Sequence, residues 1–105
     1  MAIAMRYLTL AADYGEVAIR DEQHGRIALA DLRLPEALIT EIVAWNDRYQ
    51  RVIPADLGER KAEPMASLIS ELDDAGRQLT ERIAEAVGGG VRIKYFSEGL
   101  LREVT

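Results

Sequence analysis

The chain has 105 residues and a mass of 11.7 kDa, the size of one domain with one core. It has no cysteine and one histidine, which excludes disulfides, thiolate metal sites, thiol nucleophiles and a multi-histidine metal site. Thirteen basic residues against eighteen acidic ones leave a net charge of −5, the wrong sign for nucleic-acid binding, and no apolar run is long enough to span a membrane.

The apolar start, Met1 to Met5, lacks the basic region and cleavage site of a secretion signal. It reads as a strand lead-in or a start-site extension, with Met5 as a second initiator, and the protein as cytoplasmic. Arg6 to Ala12 predicts a strand, Asp13-Tyr14-Gly15 a turn, and Glu16 to Arg20 a second strand closing a hairpin. In that second strand Val17 and Ile19 share one face, Glu16 and Arg20 the other. Asp21 to Gly25 reads as a polar loop, and Arg26 to Leu29 as a short third strand.

Pro35 suits the first position of a helix, and Leu38, Ile42, Trp45, Tyr49 and Val52 follow on one face. Pro54 stops it, and residues 54–63 read as a solvated loop. A second helix starts near Pro64, with Met65, Leu68, Leu72, Leu79, Ile83 and Val87 on one stripe. Gly76 lies in that stripe. A glycine there weakens a helix by about 1 kcal/mol relative to alanine, so it predicts close approach by another element, with Trp45 of the first helix as the expected neighbour. Gly88-Gly89-Gly90 ends the helix; no strand precedes it and no Lys-Ser/Thr follows it, so it is no phosphate loop. Val91 to Phe96 predicts a strand with Val91, Ile93 and Tyr95 on one face and Arg92, Lys94 and Phe96 on the other. Ser97-Glu98-Gly99 turns the chain into a short edge strand within Leu100 to Val104. The fold class is α+β: one domain over residues 1–105, in two layers, a mainly antiparallel sheet with two helices packed on one face.

This layout carries a resemblance. A strand running into Ala12-Asp13-Tyr14-Gly15, then Leu32-Arg33-Leu34-Pro35, is followed by a helix holding Trp45 and Tyr49. A second helix with Gly76 and Leu79 and the strand Val91-Arg92-Ile93-Lys94-Tyr95 complete it. The chain resembles small, acidic, mostly uncharacterised bacterial proteins, and in layout it is similar to immunity proteins of bacterial toxin systems. The resemblance implies a non-enzymatic protein-binding module; it brings no catalytic residue with it.

The residues themselves offer little chemistry. His24 lies in a polar turn and reads as a solvent-exposed loop histidine. Ser67, Ser70 and Ser97 lack a nucleophile setting. Asp73 and Asp74 are consecutive on a helix, so they diverge by about 100° and read as a solvated face. No cofactor and no metal site is read from the sequence. Binding is the better-supported class. Asp13, Glu16, Asp21 and Glu22 cluster along the first hairpin and, on one shared edge, make a negative patch for a basic toxin that would be blocked by steric occlusion. Phe96, beside Arg92, is exposed if its sheet face is uncovered, or covered if Leu100 and Leu101 fold over it. Trp45 and Tyr49 read as core or as an interface anchor. Self-association as a homodimer through the open sheet face or an exposed edge strand is the alternative, and a small-molecule pocket between helices and sheet the third reading.

Overall fold

The β-forming segments are short and separated by polar turns, whereas the two long apolar stripes are helical, so sheet and helices segregate into layers. A computed structural model describes residues 6–104; the readings of residues 1–5 as lead-in or extension lie outside the described residues. The order is β1 (Arg6–Ala11), β2 (Ala18–Asp21), β3 (Gly25–Ile27), a one-turn 3-10 helix (Leu29–Leu32), α1 (Glu36–Tyr49), α2 (Leu57–Lys61), α3 (Met65–Val87), β4 (Val91–Ser97) and β5 (Arg102–Val104). The sheet runs β3-β2-β1-β4-β5. Three of its pairings are antiparallel, and β1 pairs parallel with β4, Arg6 opposite Val91 and Leu10 opposite Tyr95. The mainly antiparallel α+β sheet with helices packed on it is thus the architecture.

Several boundaries differ from the expectations. Asp21 belongs to β2 and Gly25 to β3, so the expected loop shrinks to a tight turn of a second hairpin. The second strand begins at Ala18, because the β1–β2 connection is held by α1 side chains rather than by strand pairing. Pro35 caps α1 instead of opening it. The segment 54–63 is not all loop: the Asp56 side chain accepts from Glu59 N–H at 2.8 Å and nucleates α2.

Alternation along the strands decides the rest. Leu8, Leu10, Ile19 and Tyr95 point to the helices and are buried. They meet Leu38, Ile42, Trp45 and Tyr49 of α1 and Ile69, Leu72, Leu79 and Ile83 of α3 in one core. Trp45 and Tyr49 are both core: Trp45 donates from its indole N–H to Leu72 O at 2.8 Å and packs edge-on against Tyr49 and Tyr95. Gly76 is indeed a close-approach site, but the neighbour is Tyr95 of β4, not Trp45. A Cβ at Gly76 would stand 2.3 Å from Tyr95 Cε1.

Candidate protein-binding face

The hairpin end is clamped from below. Asn46 of α1 is buried and grips Asp13 by both backbone groups: its Oδ1 accepts from Asp13 N–H at 3.0 Å and its amide donates to Asp13 O at 3.3 Å. Gln50, one turn on, donates to Asp13 O at 2.7 Å and accepts from Gly15 N–H at 3.0 Å. Asn46 on α1 and Gln50 at its C-terminal cap carry no sequence pattern that marks them for this role.

The four hairpin carboxylates do not share an edge. Asp21 points to the helix side of the sheet, with 3% of its side chain exposed, and pairs with Arg6 at 3.0 Å. Its carboxyl is held below the ordinary value, first by the Gln23 backbone N–H and also by Arg6, against an opposing effect of burial. Asp13 pairs with Arg26 at 3.0 Å. Glu16 sits at a cleft of about 400 Å³ between the hairpin and α1, walled by Val17, Ile27, Leu29 and Val43. Glu22 lies on the opposite side of the sheet, beside Tyr7, Arg92 and Lys94. Tertiary contacts have split the expected patch into two ion pairs and two separate carboxylates.

The interior holds one polar cluster, centred on Asp73, whose place in α3 is buried rather than on the expected solvated face. Asp73 is 5% exposed, and its carboxyl accepts from Tyr95 Oη at 2.6 Å, Ser97 Oγ at 2.7 Å and Tyr49 Oη at 2.9 Å. Gly99 N–H donates to Tyr49 Oη at 2.8 Å and Leu100 N–H to Ser97 Oγ at 3.0 Å. Burial pushes the Tyr49 hydroxyl up to about 12, and it pushes Tyr95 up as well, with Asp73 adding to it. The cluster ties α1, α3 and β4 to the β4–β5 turn. The signal was in the sequence: Asp73 stands four residues after Ile69 and three before Gly76, on the apolar stripe.

The other face of the sheet carries no helix among the described residues. Tyr7, Thr9 and Ala11 of β1 point into it, flanked by Arg20 of β2 and by Arg92, Lys94 and Phe96 of β4. Because Thr9 and Ala11 are short and their neighbours long, the face is a trough along β1. Two cavities, of about 320 and about 390 Å³, meet at Thr9. Phe96 is half-buried and lines the second, with Glu98 at its end; Leu100 and Leu101 remain exposed in the following turn. Partial burial raises the Glu98 carboxyl above its ordinary value, with the nearby Asp13 charge adding to it and Arg60 opposing it. Lys94 approaches Glu103 at 3.8 Å. Of the six candidate residues, the structure therefore gathers four along this face: Glu22 and Arg92 at the first cavity, Asp13 and Phe96 at the second.

Among the described residues, no group of three or more His, Cys, Asp or Glu is placed to hold a metal ion, and no helix is long and apolar enough to cross a membrane. His24 is exposed in the β2–β3 turn. No curated protein matches the chain, and no solved structure does. A family model described as Serratia CdiI immunity protein-like matches residues 6–98, from the first residue of β1 to the turn after β4, and so takes in the trough, the Asp73 cluster and both long helices. The chain belongs to the Serratia CdiI immunity protein-like family.

Proposed function

We propose that the protein is an immunity protein that neutralises a toxin by binding it and covering its working surface, without chemistry of its own. The observation that carries this reading is the family match over residues 6–98. The uncovered sheet face supports a binding role: it is concave, it presents Tyr7, Arg92 and Phe96, and Tyr and Arg are among the side chains most used as interface anchors. Its stiffness also favours binding, since a sheet backed by a packed helical layer loses little freedom on docking. The hairpin carboxylates are weaker candidates, because Arg6 and Arg26 already neutralise Asp21 and Asp13. A cytoplasmic location accords with a protein that protects the cell making the toxin. Homodimerisation by edge-strand pairing is not favoured: both edge strands, β3 and β5, are three residues long and offer little template for it.

The test is co-expression with a toxin domain taken from the neighbouring reading frames. Protection of growth and a one-to-one complex by light scattering are the expected results. Unprotected growth together with two unshifted species would remove the reading.

A further inference from the structure

The cleft between the first hairpin and α1 joins apolar walls to a negatively charged mouth. It holds about 400 Å³. Of its walls, Val17, Ile27 and Leu29 pack on the core, whereas Val43 stays 44% exposed on α1. Two carboxylates and one cation line it: Glu16, Asp47 and Arg26. The guanidinium is already committed, with Nη1 on Asp13 Oδ2 at 3.0 Å and Nη2 on the Glu16 carbonyl at 3.5 Å. Glu16 and Asp47 make no ion pair among the described residues. The Asp13–Arg26 pair cancels, so the two free carboxylates set the charge of the mouth. Asp47 also stands in the last turn of α1, where the helix macrodipole is negative and favours a cation. Arg48, the basic residue of that turn, is taken up by Glu71 of α3.

We infer that this cleft anchors a lysine or arginine side chain of the toxin, whose aliphatic stem lies on Val17, Ile27, Leu29 and Val43 while its charged head meets Glu16 and Asp47. The inference rests on the toxin-neutralising reading above. Long cationic side chains are amphipathic in just this way, an apolar stem with a charged tip. A wholly apolar occupant would strip water from two carboxylates and give them no partner, and an acidic one would be repelled. The mouth is formed before anything binds: Asn46 and Gln50 of the α1 end hold the backbone of Asp13 and Gly15, immediately before Glu16. Little ordering is therefore lost on docking. Tyr14, 77% exposed, stands between those two clamped residues and offers an aromatic contact beside the cleft. The net charge of −5 draws a basic partner toward the whole molecule, and the cleft gives one of its side chains a place to enter.

The experiment is calorimetric titration of the full chain with the purified toxin domain of the co-expression test, in low and physiological salt. Glu16→Lys with Asp47→Lys is expected to weaken binding by about 100-fold or more, with the loss steepest in low salt. Val43→Phe fills the cleft at unchanged charge and is expected to weaken it by about tenfold. The control makes the same change of charge elsewhere: Glu81→Lys with Glu85→Lys on α3, Glu81 lining a cavity against β4 and β5 at the opposite edge of the sheet. It is expected to stay within about threefold. Thermal unfolding confirms that each variant is folded. If the lysine pair is not, Glu16→Gln with Asp47→Asn takes its place, with an expected loss of about tenfold. Wild-type affinity in the Glu16 and Asp47 variant, or an equal loss in the α3 control, overturns the inference and leaves the toxin-neutralising reading intact. Full affinity in Val43→Phe also overturns it, since the cleft is then not entered. A wild-type dimer that Glu16→Lys with Asp47→Lys abolishes would give the cleft to a second copy and overturn it too. A wild-type chain that ignores the toxin removes both the inference and the reading beneath it.

Discussion

The Tyr95 hydroxyl donates to the Asp73 carboxyl at 2.6 Å, directly beneath Gly76 of the same helix as Asp73. Only a helix without a side chain at residue 76 can lie this close to the ring, and only a polar partner such as Asp73 can satisfy a hydroxyl driven that deep. The glycine and the aspartate are two halves of one solution to seating a tyrosine between α3 and the sheet. The same seat sets the height of β4, and thereby the wall of the trough on the opposite face.

Removing the acceptor is expected to be severe. Asp73→Ala leaves the buried hydroxyls of Tyr49, Tyr95 and Ser97 short of a partner, and should lower stability by about 3 kcal/mol or more. Tyr95→Phe removes one of the three donors and should cost about 1–2 kcal/mol. Urea unfolding followed by tryptophan fluorescence checks both; near-equal effects would mean that the cluster is not centred on Asp73.

Gly76→Ala is expected to destabilise despite its better helix propensity. The new Cβ would stand 2.3 Å from Tyr95 Cε1, so the ring and its hydrogen bond must shift. Overpacking of this kind costs about 1–3 kcal/mol, against a propensity gain of about 1 kcal/mol. Gly89→Ala is the control, since nothing lies within 4 Å of its added Cβ; its thermal midpoint should barely move.

Alkaline pH should unfold the protein through its buried phenols. Tyr49 is raised from 10.0 to about 12, so the folded state keeps a proton that the unfolded state releases. The stability is whole below about pH 10 and is lost as the pH rises toward about 12. Tyrosinate absorbance from Tyr49 and Tyr95 should grow in step with the loss of far-ultraviolet dichroism. A phenolate signal from either residue in a chain still folded would contradict this.

Acid acts through Asp21 with the opposite sign. Its folded value lies below the ordinary 3.8, so its contribution is present above that pH and is lost as the pH falls below it. The stability gap between wild type and Asp21→Asn should therefore close as the pH drops below 3.8. A gap that persists unchanged at the acid end would show that the asparagine variant fails for a reason other than the Arg6 pair.

Local chemistry made much of this legible in the sequence. Leu38, Ile42, Trp45 and Tyr49 recur at a helical period, and Arg92, Lys94 and Phe96 alternate with Ile93 and Tyr95; both patterns depend on near neighbours alone. Gly76 announced a close contact for the same reason, because a glycine inside an apolar stripe has few other uses. The α+β class, the two long helices and the shared face of Arg92 and Phe96 follow from these patterns. What local pattern cannot carry is which distant element arrives. The parallel pairing of Leu10 with Tyr95 joins residues from opposite ends of the chain. That pairing put Tyr95 rather than Trp45 against Gly76 and set its hydroxyl on Asp73, while the two antiparallel hairpins brought Arg6 to Asp21 and Arg26 to Asp13. Alternation says which side chains stand together; the side on which the helices close says which of them meet water. That choice is made by long-range burial, and it left Arg92, Lys94 and Phe96 on the open side.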